Sequence, residues 1–236
     1  MPPRILAFSS SRTGNSGYLQ TAVPVISTFL GNNPGTIAFI PFAAADGNYE
    51  AYTQKVRAAL PDYEIVTVTH ENATTAIAAS GVVMVGGGNT FKLLHDLYKT
   101  GALQLVQQKV KDGTPYIGWS AGSNITGATI CTTNDMPIIN PGSFDALQFF
   151  SFQINPHYYN VVVPGFNGET RDQRLEEFLL LNPSVPIVAL PEGTALLFEN
   201  GSLQLTGSAT AFILRYQNKA LVKTALEPGE LLDDLL

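Results

Sequence analysis

Gly118-Trp119-Ser120-Ala121-Gly122 sets one hydroxyl among small residues. A Gly-x-Ser-x-Gly pattern suits a strand that turns abruptly into a helix and lifts a single side chain clear of the backbone. Pro115–Trp119 reads as that strand, and Ser123-Asn124-Ile125 can continue as the helix. The bland reading is an ordinary strand–helix turn with small residues for close packing. The flanking context favours Ser120 as a nucleophile for acyl transfer.

A serine hydroxyl is a weak nucleophile and needs a base. The chain holds three histidines. His95 falls inside a helical pattern, and His70 follows a strand-like run where a turn residue is the simpler reading. His157 sits in Ile154-Asn155-Pro156-His157-Tyr158-Tyr159, where proline restricts the backbone and aromatics can wall the ring from water. His157 is therefore the candidate base.

Such a base is oriented by a carboxylate. Glu192, in Leu190-Pro191-Glu192-Gly193, directly follows a strand-like run, and Asp135 lies in Thr132-Thr133-Asn134-Asp135-Met136-Pro137. Either carboxylate can instead cap backbone amides, so both stay open as the acid.

Acyl transfer also needs donors for an oxyanion. Gly86-Gly87-Gly88-Asn89-Thr90-Phe91 follows a strand and precedes a helix, so the Gly88 amide pairs naturally with that of Ala121. A dinucleotide reading of this turn is weak. Phe91 stands where the third glycine belongs, and no Gly-Lys-Ser/Thr occurs.

These residues need a scaffold. Apolar β-branched runs recur at Arg4–Ser9, Thr36–Phe42, Tyr63–Thr69, Gly81–Gly86, Pro115–Ser120 and Val185–Leu190. Helical spacing lies between them: Tyr49, Tyr52, Val56 and Ala59 before Pro61; Phe91, Leu94, Leu97 and Tyr98; Leu103, Val106 and Val110. Thr170 and Gln173 form a capping box ahead of Leu175, Phe178 and Leu179. The alternation predicts an α/β fold, a mostly parallel sheet with helices on both faces, with sites beyond the carboxyl ends of its strands.

Cys131–Glu169 breaks the rhythm. It reads as one long irregular region of the kind that carries function. After Glu192 the runs shorten to Ala195–Glu199, Ser202–Leu205, Ala209–Tyr216 and Ala220–Thr224, with a hairpin signal at Asn200-Gly201. These are expected as antiparallel strands extending the sheet. No linker divides residues 1–236, so one domain is expected.

Composition bounds the function. Hydrophobic residues make up 45% and charged residues 14% of the 236 positions, enough apolar surface for a sizeable core. A net charge of -6 argues against a nucleic-acid footprint. A lone cysteine, Cys131, cannot form an internal disulfide. The opening residues turn polar too soon for a signal-peptide core, and runs such as Val82–Val85 are far short of a membrane span. A cytoplasmic protein is expected. With no His-Glu-x-x-His and no Cys-x-x-Cys, neither metal nor other cofactor is expected. One rival comes from another class: Ser11-Arg12-Thr13-Gly14-Asn15-Ser16 looks like the phosphate loop of flavodoxins, which would make the chain a flavin-binding electron carrier. No oligomeric state follows from the sequence.

The chain also resembles the peptidase E family of α-aspartyl dipeptidases. The likeness runs in order through Ile40-Pro41-Phe42-Ala43, Val85–Phe91, Tyr116–Gly122, Thr132–Ile138, Phe144–Leu147, Ile154–His157, Gly168-Glu169-Thr170-Arg171 and Leu190–Gly193. It implies a serine peptidase that releases N-terminal aspartate from Asp-Xaa dipeptides, on a sheet related to class I glutamine amidotransferases. It puts Ser120 and His157 on the family's nucleophile and base, while Asp135 and Glu192 both keep a claim to the acid. Cyanophycinases, which use a similar serine site on an aspartate polymer, are the alternative within the class. Aspartate selectivity calls for a cation. Arg171, at the start of the Thr170 helix, is the first choice and Arg12 the second. Glu169 or Asp135 would accept the substrate ammonium, and Asn89 is a further candidate substrate contact.

Overall fold

The computed structural model describes residues 2–32, 34–165 and 167–236. Strands β1 (Ile5–Phe8), β2 (Ile37–Ile40), β3 (Ile65–Thr67), β4 (Val82–Val85) and β5 (Tyr116–Trp119) run parallel, with helices between them. Those helices are α1 (Val23–Leu30), α2 (Tyr49–Ala59), α3 (Ala73–Ala79), α4 (Thr90–Lys99) and α5 (Ala102–Lys111). The chain continues through α6 (Ala121–Asn124), β6 (Gln153–Pro156), α7 (Arg171–Leu181), β7 (Ile187–Leu190), β8 (Thr194–Glu199), β9 (Ser202–Gly207), β10 (Ala211–Gln217) and β11 (Ala220–Leu226).

The main sheet has the order β3-β2-β4-β5-β1-β8-β9. Its central strands are apolar throughout because both faces are covered. The two-residue repeat of a strand sorts them. Ile5 and Ala7 join the cluster that holds Leu94 of α4 and Val106 of α5, whereas Leu6 and Phe8 join the one that holds Ile26 of α1 and Val56 of α2. Local signals end the helices where expected. Asn48 accepts the Ala51 amide at the start of α2, which stops before Pro61, and the Thr170–Gln173 capping box opens α7.

Three features depart from the sequence reading. Not all the late strands extend the main sheet. β8 pairs antiparallel with β1 and β9 with β8, joined through Asn200-Gly201, both at positive φ. β10 and β11 instead join β7 and β6 in a second sheet of order β11-β10-β7-β6. The Val185–Leu190 run thus leaves the main sheet, and β7 runs parallel to β6. Second, β6 lies inside the stretch read as irregular. At 4 residues, all buried and ending in proline, it shows neither alternation nor a length that periodicity can detect. Third, the helix after Ser120 is a single turn, α6. One apolar cluster contains residues of both sheets, including Ile5, Ile154, Val188 and Ile213.

Candidate active site

The carboxyl ends of β1, β4, β5, β6 and β7 supply the chemistry-bearing residues. Ser120, one residue past β5, has φ 54° and ψ -115°, a conformation costly for a residue with a Cβ. Hydrogen bonds hold it there. Its N–H donates to Phe8 O at 3.1 Å, and its carbonyl accepts the N–H groups of Ser123 and Asn124 at 2.9 Å each. The motif glycines are steric necessities: a Cβ on Gly118 would lie 2.4 Å from Gly122 O, and one on Gly122 would lie 2.3 Å from Val85 O. Trp119 stacks on Phe39 and donates to the Tyr52 hydroxyl at 3.2 Å, anchoring the strand beneath the turn.

The glycine turn after β4 abuts the serine. A Cβ on Gly87 would come within 2.8 Å of Ser120 Cβ, and one on Gly88, at φ 135°, would lie 2.3 Å from Ala43 O. The amides of Gly87, Gly88 and Ala121 meet no acceptor among the described residues. Free amides beside a raised hydroxyl are what an oxyanion requires.

His157 follows β6, at φ 52°. Its N–H donates to Ser9 Oγ at 2.9 Å, and Ser9 Oγ donates to Leu190 O at 2.7 Å. Ser9 is fully buried at the end of β1 and so ties the ends of β6 and β7 to the main sheet. Two residues past β7, Glu192 Oε1 lies 2.9 Å from His157 Nδ1. An Nδ1–H donating to that carboxylate leaves Nε2 as the proton acceptor. Asp135 is engaged elsewhere. Its Oδ2 accepts the Thr90 amide at 2.7 Å, the Thr90 hydroxyl at 2.6 Å and the Thr133 hydroxyl at 3.2 Å, holding the first turn of α4.

Ser120 and His157 are the two residues common to the linings of two depressions. The smaller, about 190 Å³, also includes Thr90, Ala121, Asn134, Asp135 and Arg171. Arg171 has no carboxylate within ion-pair distance among the described residues. One guanidinium nitrogen approaches Asn155 Oδ1 at 3.4 Å, and partial burial lowers its pKa from the usual arginine value. The larger depression, about 700 Å³, reaches past Gly88 to the loop after β1 and to α2.

Arg12 lines the larger depression and not the smaller, while Asn89 and Glu169 line neither. Asn89 commits its side chain to the fold: Oδ1 accepts the Lys92 amide at 3.0 Å and Nδ2 donates to Met136 O at 2.8 Å. Glu169 lies 3.8 Å from Arg174. The Ser11–Ser16 loop closes on itself, with Ser16 Oγ accepting the Thr13 amide at 2.9 Å. α1 begins only at Val23, so the helix start that a phosphate cradle needs does not follow the loop. Sequence reading missed Ser9 and Asn155. Ser9 carried a usable signal, since it directly follows a parallel strand; buried Asn155 carried none.

Comparison with known proteins bears on this geometry. The family described as Peptidase family S51 matches residues 5–206. The chain is 47% identical over 239 residues to a peptidase E of Nostoc sp. strain PCC 7120, covering 100% of this chain and 98% of that one. It is 45% identical over 215 residues to a peptidase E of Haemophilus influenzae strain Rd, covering 89% and 99%. In fold it is similar to the crystal structure of a peptidase from an acI-B1 actinobacterium, with TM-score 0.66, 16% identity and coverage of 98% and 97%. No helix among the described residues is long and apolar enough to cross a membrane.

Proposed function

The chain belongs to peptidase family S51 and is a peptide hydrolase, and from that premise we propose that it is a serine dipeptidase acting on Asp-Xaa, with Ser120 as nucleophile, His157 as base and Glu192 as the acid behind it. One observation carries the reading: Ser120 and His157 share the rim of two depressions, and the smaller holds an arginine with no carboxylate partner among the described residues. A partly buried, unpaired guanidinium favours an anionic ligand.

In this mechanism the aspartyl side chain enters the smaller depression and pairs with Arg171, which Asn155 orients. The substrate ammonium goes to Asp135, whose Oδ1 accepts no hydrogen bond among the described residues while Oδ2 holds α4. Ser120 Oγ attacks the aspartyl carbonyl and its proton passes to His157 Nε2. Glu192 stabilises the imidazolium, and the amides of Gly88 and Ala121 hold the oxyanion. His157 returns the proton to the leaving amine. A water molecule, giving its proton to His157, then cleaves the acyl-enzyme and regenerates Ser120. The strain stored in the turn keeps the hydroxyl presented without reorganisation.

We also read the chain as one folding unit, because both sheets contribute to one apolar cluster. Peptide rather than nucleic-acid partners and a cytoplasmic location fit the net charge of -6 and the single thiol.

Hydrolysis of Asp-Leu tests the proposal. Ser120→Ala is expected to lower kcat by ~10⁴- to 10⁶-fold. Near-normal turnover by that variant would sink the nucleophile assignment. Hydrolysis of the side-chain-linked aspartate polymer in preference to Asp-Leu would favour the cyanophycinase-like alternative. An Arg171→Met variant that treats Asp-Leu as wild type does would remove Arg171 from the aspartate pocket.

A further inference from the structure

We infer that the larger depression binds the leaving residue, and that Lys55 and Arg12 there recognise its free α-carboxylate, restricting the enzyme to dipeptides. The inference rests on Ser120 and His157 acting as proposed above.

The geometry of acyl transfer requires the two halves of the substrate to lie on opposite sides of the nucleophile. The smaller depression, at about 190 Å³, has room for one short side chain and carries Arg171 to neutralise it. The leaving residue is then directed to the larger one, at about 700 Å³. Its side chain varies from substrate to substrate. Its one constant charge is the terminal carboxylate, which a longer peptide would replace by a neutral amide and more chain.

The larger depression answers that chemistry. Ala43, Ala44 and Ala45 form a wall of small residues, which leaves space for side chains of different size. Three charged residues besides His157 line it: Lys55, Arg12 and Asp46. Neither Lys55 nor Arg12 forms an ion pair among the described residues. Asp46 is partly occupied, because its Oδ1 accepts the Asn48 amide at 3.0 Å. Two free cations against one engaged carboxylate make the depression a net attractor for an anion. Ala51 and Lys55 are four residues apart on α2, so they share the helix face that lines the depression. Arg12 comes from the other side, on the Ser11–Ser16 loop. This gives the loop a role: it carries a carboxylate-binding arginine rather than a phosphate cradle.

The test compares Asp-Leu with Asp-Leu amide, in which only the terminal charge is removed. Wild type is expected to prefer the free dipeptide by roughly 10- to 100-fold in kcat/KM, the scale of a charge-assisted hydrogen bond. Lys55→Met and Arg12→Met should each shrink that preference, mainly through KM for the free dipeptide, and the double variant should bring the ratio close to one. Both side chains are exposed, so folding is expected to survive, and circular dichroism checks it. A wild-type enzyme indifferent to the amide, or variants that keep the wild-type ratio, would overturn the inference alone. Retained hydrolysis by Ser120→Ala would overturn the parent reading and this inference with it.

Discussion

Two clusters in this protein bring an imidazole to a carboxylate at nearly the same distance. His157 lies 2.9 Å from Glu192, while His95 and His70 lie 2.8 Å and 3.0 Å from Asp96. Their surroundings separate them. The Asp96 side chain is 4% exposed and held by four donors: Lys92 at 2.5 Å, the Tyr49 hydroxyl at 2.9 Å and both histidines. The Glu192 side chain is 50% exposed, its histidine 41%, and that histidine stands beside a strained serine at the meeting of two depressions. The first arrangement pins α2 and the end of β3 onto α4, and neither of its histidines lines the depressions that meet at Ser120. The second leaves Nε2 open. Proximity of histidine and acid is thus a poor sign of catalysis; access of the ring to a nucleophile at an open depression is the better one.

The contrast yields measurable differences. The largest belongs to the open pair: Glu192→Gln should lower kcat by ~10³- to 10⁴-fold through the wrong tautomer while leaving the melting temperature near wild type. Under the alternative, with Asp135 as the acid, Glu192→Gln would cost little and Asp135→Asn much. Next comes the closed cluster. Asp96→Asn leaves Lys92 without its counter-charge and should cost about 3 kcal/mol of stability by denaturant titration, with turnover at low temperature largely kept. A stable Asp96→Asn protein would remove the cluster from the scaffold.

The same cluster predicts a pH signature. Burial alone raises the Asp96 pKa, but the hydrogen bonds from Lys92, His95, His70 and Tyr49 outweigh it and hold the carboxyl well below the usual aspartate range. A depressed folded pKa contributes stability that is fully present above the unfolded value, about 3.9, and is lost as pH falls through the folded one. The stability gap between wild type and Asp96→Asn should therefore be full at neutral pH and narrow below about pH 4. A gap that is constant with pH would contradict the assignment.

The smallest effect concerns Ser9, which is tied to His157 N–H and Leu190 O and makes no hydrogen bond to Ser120 or the proposed oxyanion donors among the described residues. Ser9→Ala should lower kcat by ~10-fold with KM little changed, because a buried N–H and carbonyl lose their shared partner just behind the proposed base. A change confined to stability would leave Ser9 a purely structural bridge between the sheets.

How much of this was legible follows from the range of each signal. The turn at Ser120 was legible because its glycines meet neighbours within the motif and on the adjacent strand. The α7 cap was legible because all its atoms lie within one turn. The second sheet was not. β6 is too short for periodicity, and β7 carries the same apolar run as a strand of the main sheet. Arg12 and Lys55 were invisible as a pair, since a loop arginine and a helix lysine carry no mark of a shared depression.

For the central residues, the division is clear. Sequence alone determined the turn at Ser120, the glycine-rich neighbour, the parallel strands and the candidate base, because these depend on contacts within a few residues or on the repeat of a strand or helix. Only the tertiary structure decided which carboxylate meets His157. Glu192 lies 35 positions away along the chain and is brought to 2.9 Å by the parallel pairing of β6 with β7 and by the Ser9 bridge. Asp135, nearer in sequence, is drawn instead to the free amide at the start of α4. Distance along the chain does not encode distance in space, and a carboxylate serves whichever donors the packing of the strands brings within reach.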